Sequence, residues 1–207
     1  MFVKVCGLGS TADIDATVAA GADAVGLVIS GTSVRGLDRD RVTRLAAHVP
    51  SSVLSVLVVN DTPATEAARL AGELGFGALQ LHGAAYRAED FAAAARIFPR
   101  LWRATSLSEG PDTRVGACGE EVLLLDSPRA GSGDRWDLSL IETARPEGTW
   151  MLAGGLSPEN VGEAIGRARP WGVDVSSGVE SAPGVKDHDR IRAFVAAVQR
   201  ATATNPS

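Results

Sequence analysis

Eight parallel strands wrapped into a barrel and covered by helices are what this sequence predicts, and three observations carry the prediction. Short apolar runs alternate with helical patterns along the whole chain, eight times, at a spacing of roughly 25 residues. The runs are apolar on both faces, as strands are when helices cover each side of a sheet. The chain has 207 residues, 45% apolar and 22% charged, which is enough to build one core of this kind. Eight units close a (β/α)8, or TIM, barrel. The competing α/β fold, an open doubly wound sheet, has fewer strands and calls for a G-x-G-x-x-G turn after the first one. Cys6-Gly7-Leu8-Gly9 supplies two of those glycines, but Ala12 stands where the third belongs.

Taken in order, residues 2–6 form the first strand, and the first helix covers 12–20, capped by Ser10 or Thr11 and stopped by Gly21. The second strand, 24–29, leads through a polar loop at 30–36 into a helix over 38–48. The third strand is 53–59, and Asn60-Asp61-Thr62-Pro63 caps a helix that runs to Leu74, with Gly75 as its stop. Strand four is 78–81, with a helix at 88–97, and strand five is 101–104. Gly, Pro and scattered polarity over 105–119 mark the next helix only weakly. Strand six, 122–125, precedes a Gly-rich loop at 127–135 and a helix at 138–144. The seventh apolar run begins at Trp150 and ends in Gly154-Gly155, after which Ser157-Pro158-Glu159-Asn160 opens a helix. Val173-Asp174-Val175 is the eighth strand and runs into Ser176-Ser177-Gly178, and the last helix is 187–199. The barrel is one domain over 1–200, with 201–207 as a frayed tail.

Composition excludes several function classes. A net charge of −5, a pI near 5.2 and scattered Arg residues argue against a nucleic-acid-binding face. Cys6 and Cys118 are too few for a disulfide framework. Together with the dispersed His48, His82 and His188, they also lack metal-ligand spacing, so no metal site is predicted. No 18-residue apolar span and no signal-peptide pattern are present, which predicts a cytoplasmic protein that does not engage membranes. Nothing in the chain specifies partner subunits.

In a TIM barrel, chemistry sits at the carboxyl ends of the strands. Two strand ends there, Gly154-Gly155 and Ser177-Gly178, carry small residues whose backbone N–H groups can approach an anion, and as a pair they read as a split phosphate cradle. The other polar candidates are Cys6, Asn60, His82, Asp126, Asp174 and Ser176, with Arg35 in the loop after the second strand. Strand alternation turns Lys4 and Cys6 to one face, Gln80 and His82 to one face, Leu124 and Asp126 to one face, and Asp174 and Ser176 to one face. Lys4 and Asp174 lie on the first and last strands, neighbours in a closed barrel. They are expected to pair, because a lone buried charge costs several kcal/mol, and the added positive charge is expected to favour a Cys6 thiolate. A thiol and a carboxyl group converging on a phosphate site suit proton transfer on a phosphosugar, with Cys6 as base and Asp126 as acid. A buried Cys also serves as a small hydrophobe, Asp126 can cap its loop, and His82 can be a purely structural residue.

Lys4-Val5-Cys6-Gly7, Gly21-Ala22-Asp23-Ala24, Gln80-Leu81-His82-Gly83, Leu124-Leu125-Asp126-Ser127, Leu152 to Val161 and Gly172 to Glu180 occur in this order and together resemble the phosphoribosylanthranilate isomerases of tryptophan biosynthesis. The resemblance implies a TIM barrel that catalyses, without a cofactor, the Amadori rearrangement of N-(5'-phosphoribosyl)anthranilate, a small phosphosugar. It further implies that Asp126 is the acid that opens the ribose ring and Cys6 the base that takes the C2' proton. It also implies that Arg35 meets the anthranilate carboxylate and that Gly154, Gly155, Ser177 and Gly178 hold the phosphate; from their strand-end positions, His82 and Asp174 are expected to line the substrate site. The chain departs from the family pattern at Gly9, at Val34 and in a shortened 127–135 loop. Those departures keep open a related enzyme acting on another aminophosphosugar, or a barrel that only binds one.

Overall fold

The computed structural model describes residues 1–106, 112–126, 141 and 145–204. Eight parallel strands close a barrel in sequence order: β1 (Phe2–Cys6), β2 (Ala24–Ile29), β3 (Leu54–Val59), β4 (Ala78–His82), β5 (Leu101–Ser106), β6 (Val122–Asp126), β7 (Trp150–Leu152) and β8 (Gly172–Val175). Helices α1 (Thr11–Ala20), α2 (Arg39–His48), α3 (Ala64–Glu73), α4 (Ala88–Ala95), α5 (Val161–Ala168) and α6 (His188–Thr204) form the outer layer. The predicted TIM barrel is the observed fold.

Strand alternation divides the apolar residues into two layers. Cys6, Ala24, Val28, Val56, Val58, Trp102, Leu124 and Met151 fill the barrel. Val5, Leu27, Leu57, Leu79, Leu123 and Val173 point outward to pack under the helices. Fully burying each such aliphatic side chain contributes roughly 1.5–3 kcal/mol. At the amino end Phe2 stacks on Trp171 at 4.5 Å and meets Trp102 edge-on at 6.0 Å, which closes the barrel floor. Closure runs through β1 and β8 in the register Lys4↔Asp174.

The helix ends follow local chemistry. Ser10 caps α1 by accepting from the Asp13 N–H, and Gly21 ends it at φ 87°. Asp38 caps α2 in the same way, so the helix begins at Arg39, one residue after the expected start. The capping expected of 60–63 is absent. Pro63 occupies the N-cap without a side-chain bond, and Asp61 turns away to accept from Gly31 N–H and Ser30 Oγ, bracing the loop after β2. Strands β5 and β6 run two and one residues beyond the predicted ends, so Asp126 belongs to its strand.

The weakly marked helix after β5 is a turn where it is described, over 112–120. A buried ion pair works there instead. Arg103, on the outer side of β5, donates to Glu120 at 2.8 Å and to the Asp112 carbonyl at 2.6 Å, while Glu120 accepts from the Cys118 N–H. The 127–135 loop and the 138–144 helix lie outside the described residues, apart from the buried Ile141. Helix α6 continues past Arg200 to Thr204, with the Thr202 hydroxyl donating to the Val198 carbonyl. After β8 a short 3-10 turn, Ser177–Val179, leads into a small antiparallel hairpin, β9 (Glu180–Ala182) and β10 (Val185–Lys186), that the sequence did not reveal. No helix among the described residues is long and apolar enough to cross a membrane.

Candidate active site

The carboxyl end of the barrel opens into a cavity lined by Cys6, Arg35, Asn60, Gln80, His82, Gly154, Gly155, Asp174, Ser176 and Ser177 among others. Nine of the eleven candidates singled out from the sequence, all but Asp126 and Gly178, therefore meet in one place. Asp126, at the end of β6, stands beside the cavity with Oδ2 3.7 Å from His82 Nε2. Gly178 is not among the residues that line the cavity.

Cys6 ends β1 facing the barrel interior, and its thiol has room because the facing residue of β2 is glycine. A Cβ on Gly26 would lie 2.7 Å from Cys6 Sγ. Lys4, two residues earlier on the same face, is wholly buried and donates to Asp174 Oδ1 at 3.0 Å, the predicted pair. Burial alone would push the Lys4 ammonium toward neutrality, but the charge and hydrogen bond of Asp174, with Cys6 adding to them, outweigh it and hold the lysine charged. The expected gain at Cys6 does not follow. Burial pushes its thiol above the ordinary range, further than nearby Lys4 and Lys186 pull it down, so the free protein holds Cys6 as a thiol at neutral pH.

The two halves of the predicted cradle are built differently. Gly154 and Gly155 follow β7 with φ of 77° and 64°, a left-handed pair that side chains rarely adopt. Their N–H groups, and that of Ser177, find no acceptor among the described residues. Asn160 stitches this loop in place, accepting from the Ser157 N–H at 2.8 Å and donating to the Gly155 carbonyl at 2.8 Å. It does so from the N-cap of α5, which makes Ser157 to Asn160 a turn rather than the first helical residues. Gly178 sets the spacing between the two halves, since a Cβ there would stand 1.8 Å from the Leu156 carbonyl oxygen.

Arg35 reaches the cavity wall, where it is locked to Glu180 by two hydrogen bonds, Nε to Oε1 at 2.6 Å and Nη2 to Oε2 at 2.8 Å. Lys186 Nζ donates to the same carboxylate at 2.7 Å, to the Ser176 carbonyl at 2.9 Å and to Ser176 Oγ at 3.3 Å. Ser176 Oγ in turn donates to the Cys6 carbonyl at 3.1 Å. Sequence reasoning missed Glu180 and Lys186 as site residues. The only local signal was two opposite charges six residues apart in a Pro/Gly turn. Asn60 Oδ1 and Gln80 Oε1 are also buried at this wall without a hydrogen-bond partner, an arrangement that concentrates at functional sites. No cluster of His, Cys, Asp and Glu suited to a metal ion occurs among the described residues.

A barrel with a thiol at the end of β1, a carboxyl group at the end of β6 and Gly-Gly after β7 has close relatives. The family model for N-(5'phosphoribosyl)anthranilate (PRA) isomerase matches residues 3–197. The N-(5'-phosphoribosyl)anthranilate isomerase of Dechloromonas aromatica is 42% identical over 210 residues, covering 96% of each chain. The crystal structure of TrpF from Jonesia denitrificans superposes with a TM-score of 0.92 at 52% identity over all of both chains. A phosphoribosyl anthranilate isomerase solved in complex with reduced 1-(o-carboxyphenylamino)-1-deoxyribulose 5-phosphate does so at 0.82 and 31% identity, over 97% of this chain and 99% of its own. With the motifs, the barrel and the full-length matches in agreement, this chain belongs to the N-(5'-phosphoribosyl)anthranilate isomerase family.

Proposed function

We propose that the protein is a cytoplasmic, cofactor-independent isomerase, one barrel domain over 1–200, that converts N-(5'-phosphoribosyl)anthranilate to 1-(2-carboxyphenylamino)-1-deoxyribulose 5-phosphate in tryptophan biosynthesis. The observation that carries the assignment of roles is the meeting, around one cavity, of a buried thiol, a carboxyl group, a fixed guanidinium and a loop of unpaired N–H groups.

The substrate phosphate sits on the N–H groups of Gly154, Gly155 and Ser177, which favour an anion without needing a cation, with Gly178, called as a fourth donor from the sequence, completing the turn that presents Ser177. Arg35 takes the anthranilate carboxylate, and His82 and Asp174 border the ribose. Asp126 donates a proton to the ring oxygen as the C1'–O4' bond breaks, and the anthranilate nitrogen lone pair forms the C1'=N bond. Cys6, as thiolate, removes the C2' proton from this iminium, giving an enaminol. Protonation at C1' and loss of the hydroxyl proton then yield the ketose. Electrons and atoms balance within the substrate, and each proton taken is returned. The step draws on the fraction of enzyme in which Cys6 has already released its proton to solvent, and the cationic iminium lowers the cost of the proton removal from carbon by that thiolate.

The test follows the loss of substrate fluorescence with purified protein. Cys6→Ala and Asp126→Asn are each expected to lower kcat by about 10²–10⁴ with KM nearly unchanged, since acid and base act in the transition state. A variant retaining activity within about tenfold of the parent removes that residue from the mechanism.

A further inference from the structure

We infer that Glu180 and Lys186, on the β9–β10 hairpin, are positioning and charge-setting residues that prepare Arg35 for a carboxylate on the substrate. The inference rests on the role proposed above for Arg35 and goes beyond it by naming what makes that side chain selective.

The geometry begins at Gly7, over which the stem of Arg35 lies so closely that a Cβ would stand 2.6 Å from Arg35 Cδ. The guanidinium then meets Glu180 along its Nε and Nη2 edge. Among the described residues Nη1 and the second Nη2 hydrogen have no acceptor, and that edge is the one geometry matched to a second, planar carboxylate. Glu180 is itself fixed from three sides, by Arg35, by Lys186 at 2.7 Å and by the Gly184 N–H at 3.2 Å, and its side chain is only 4% exposed. A flexible loop arginine must lose rotamer freedom when it grips a ligand, and Arg35 has already lost it.

Charge gives the second, independent argument. Arg35 and Lys186 are two cations around the single carboxylate of Glu180, in a setting where Lys186 is fully buried and Arg35 largely so. Burial is the largest influence on Lys186 and lowers its pKa, while the contact with Glu180 supports its charge and offsets that in part. The cluster carries one net positive charge next to the cavity, and a partly buried, uncompensated charge is costly until an anion joins it. A substrate carboxylate completes the balance at two cations and two anions. A substrate lacking that carboxylate leaves it incomplete, so the hairpin discriminates by charge as well as by fit.

The experiment compares N-(5'-phosphoribosyl)anthranilate with the aniline analogue that lacks the carboxylate, in the parent, Glu180→Gln, Lys186→Met and Arg35→Met. Glu180→Gln keeps the shape but weakens the hold on Arg35, and Lys186→Met leaves that hold intact while removing the surplus charge. Each is expected to raise KM for the anthranilate substrate by about tenfold, with kcat within about threefold and the aniline analogue little changed. If Glu180→Gln fails to fold, Lys186→Met tests the charge argument alone. Equal losses on both substrates, or none on either, overturn the inference in favour of a merely structural hairpin. If Arg35→Met abolishes the preference for the carboxylate while both hairpin variants retain it, only the inference fails. If Arg35→Met leaves the preference intact, the role proposed for Arg35 fails and the inference with it.

Discussion

Replacing Lys4 with Met tests the closure of the barrel and the chemistry together. Met matches the length of the lysine stem, so little packing is lost, but Asp174 Oδ1 loses the ammonium that stands 3.0 Å away and keeps a side chain only 10% exposed. Breaking a buried pair by removing one partner costs about 3–5 kcal/mol, because the remaining charge is stranded. For a chain of this size each kcal/mol moves the melting temperature by about 2–4 °C, so Lys4→Met is expected to melt roughly 6–20 °C below the parent. The measurement is calorimetry together with urea unfolding, where the midpoint should fall at constant slope. The double variant Lys4→Met/Asp174→Leu removes both charges and is expected to regain most of the loss, a coupling that marks a direct interaction. Activity should not recover with it, since Lys4 also opposes the effect of burial on the Cys6 thiol. A single variant within about 1 kcal/mol of the parent, or a double variant no more stable than the single, would refute the pair as a buried ion pair.

Two further outcomes follow from the site. Gly178→Ala places a carbon 1.8 Å from the Leu156 carbonyl oxygen, against the roughly 3.3–3.6 Å of ordinary contacts, so the loops after β7 and β8 must part by more than about 1 Å. The expected result is a loss of about 1–3 kcal/mol of stability together with weaker competition by inorganic phosphate, and unchanged phosphate inhibition would disprove the cradle. Cys6 has a raised thiol pKa in the folded protein, so its contribution to stability is present below about pH 8.5 and is lost as pH rises through the folded value. In the same window the basic form becomes populated, so kcat/KM should still be climbing above about pH 8.5, and a plateau already reached at pH 7 would contradict a thiolate base in the free enzyme.

The strands were legible because burial on both sheet faces leaves a continuous apolar signal, and β1 and β2 begin and end where that signal does. Side-chain alternation was equally legible, and it carried Lys4, Cys6, Asp126 and Asp174 to the correct side of their strands. The errors fall where the deciding contact is distant in sequence. Asp61 looked like a helix cap but is engaged by a loop 30 residues away, and the Glu180 that fixes Arg35 stands 145 residues from it, so no local pattern announces the pair. The need for glycine at position 26 is likewise set from a distance, by the Cys6 thiol that fills the space beside it.

The same separation explains how stability and function share the seam between β1 and β8. Closing the barrel requires the register Lys4↔Asp174, and that register is also what sets the ammonium beneath Cys6. Two residues further along, Ser176 bonds to the Cys6 carbonyl and Lys186 bonds to Ser176. Cys6, Ser177 and the Arg35 fork are therefore tied to one another through a single short stretch of chain, 174–186. A slip of one residue in that register would turn Asp174 toward the helices, strand Lys4 in the core and detach Ser176 from β1 at once. The ion pair is therefore more than a stabilising contact. It ties correct closure of the barrel to correct assembly of the site, so a misregistered chain would lose its core and its chemistry in the same step.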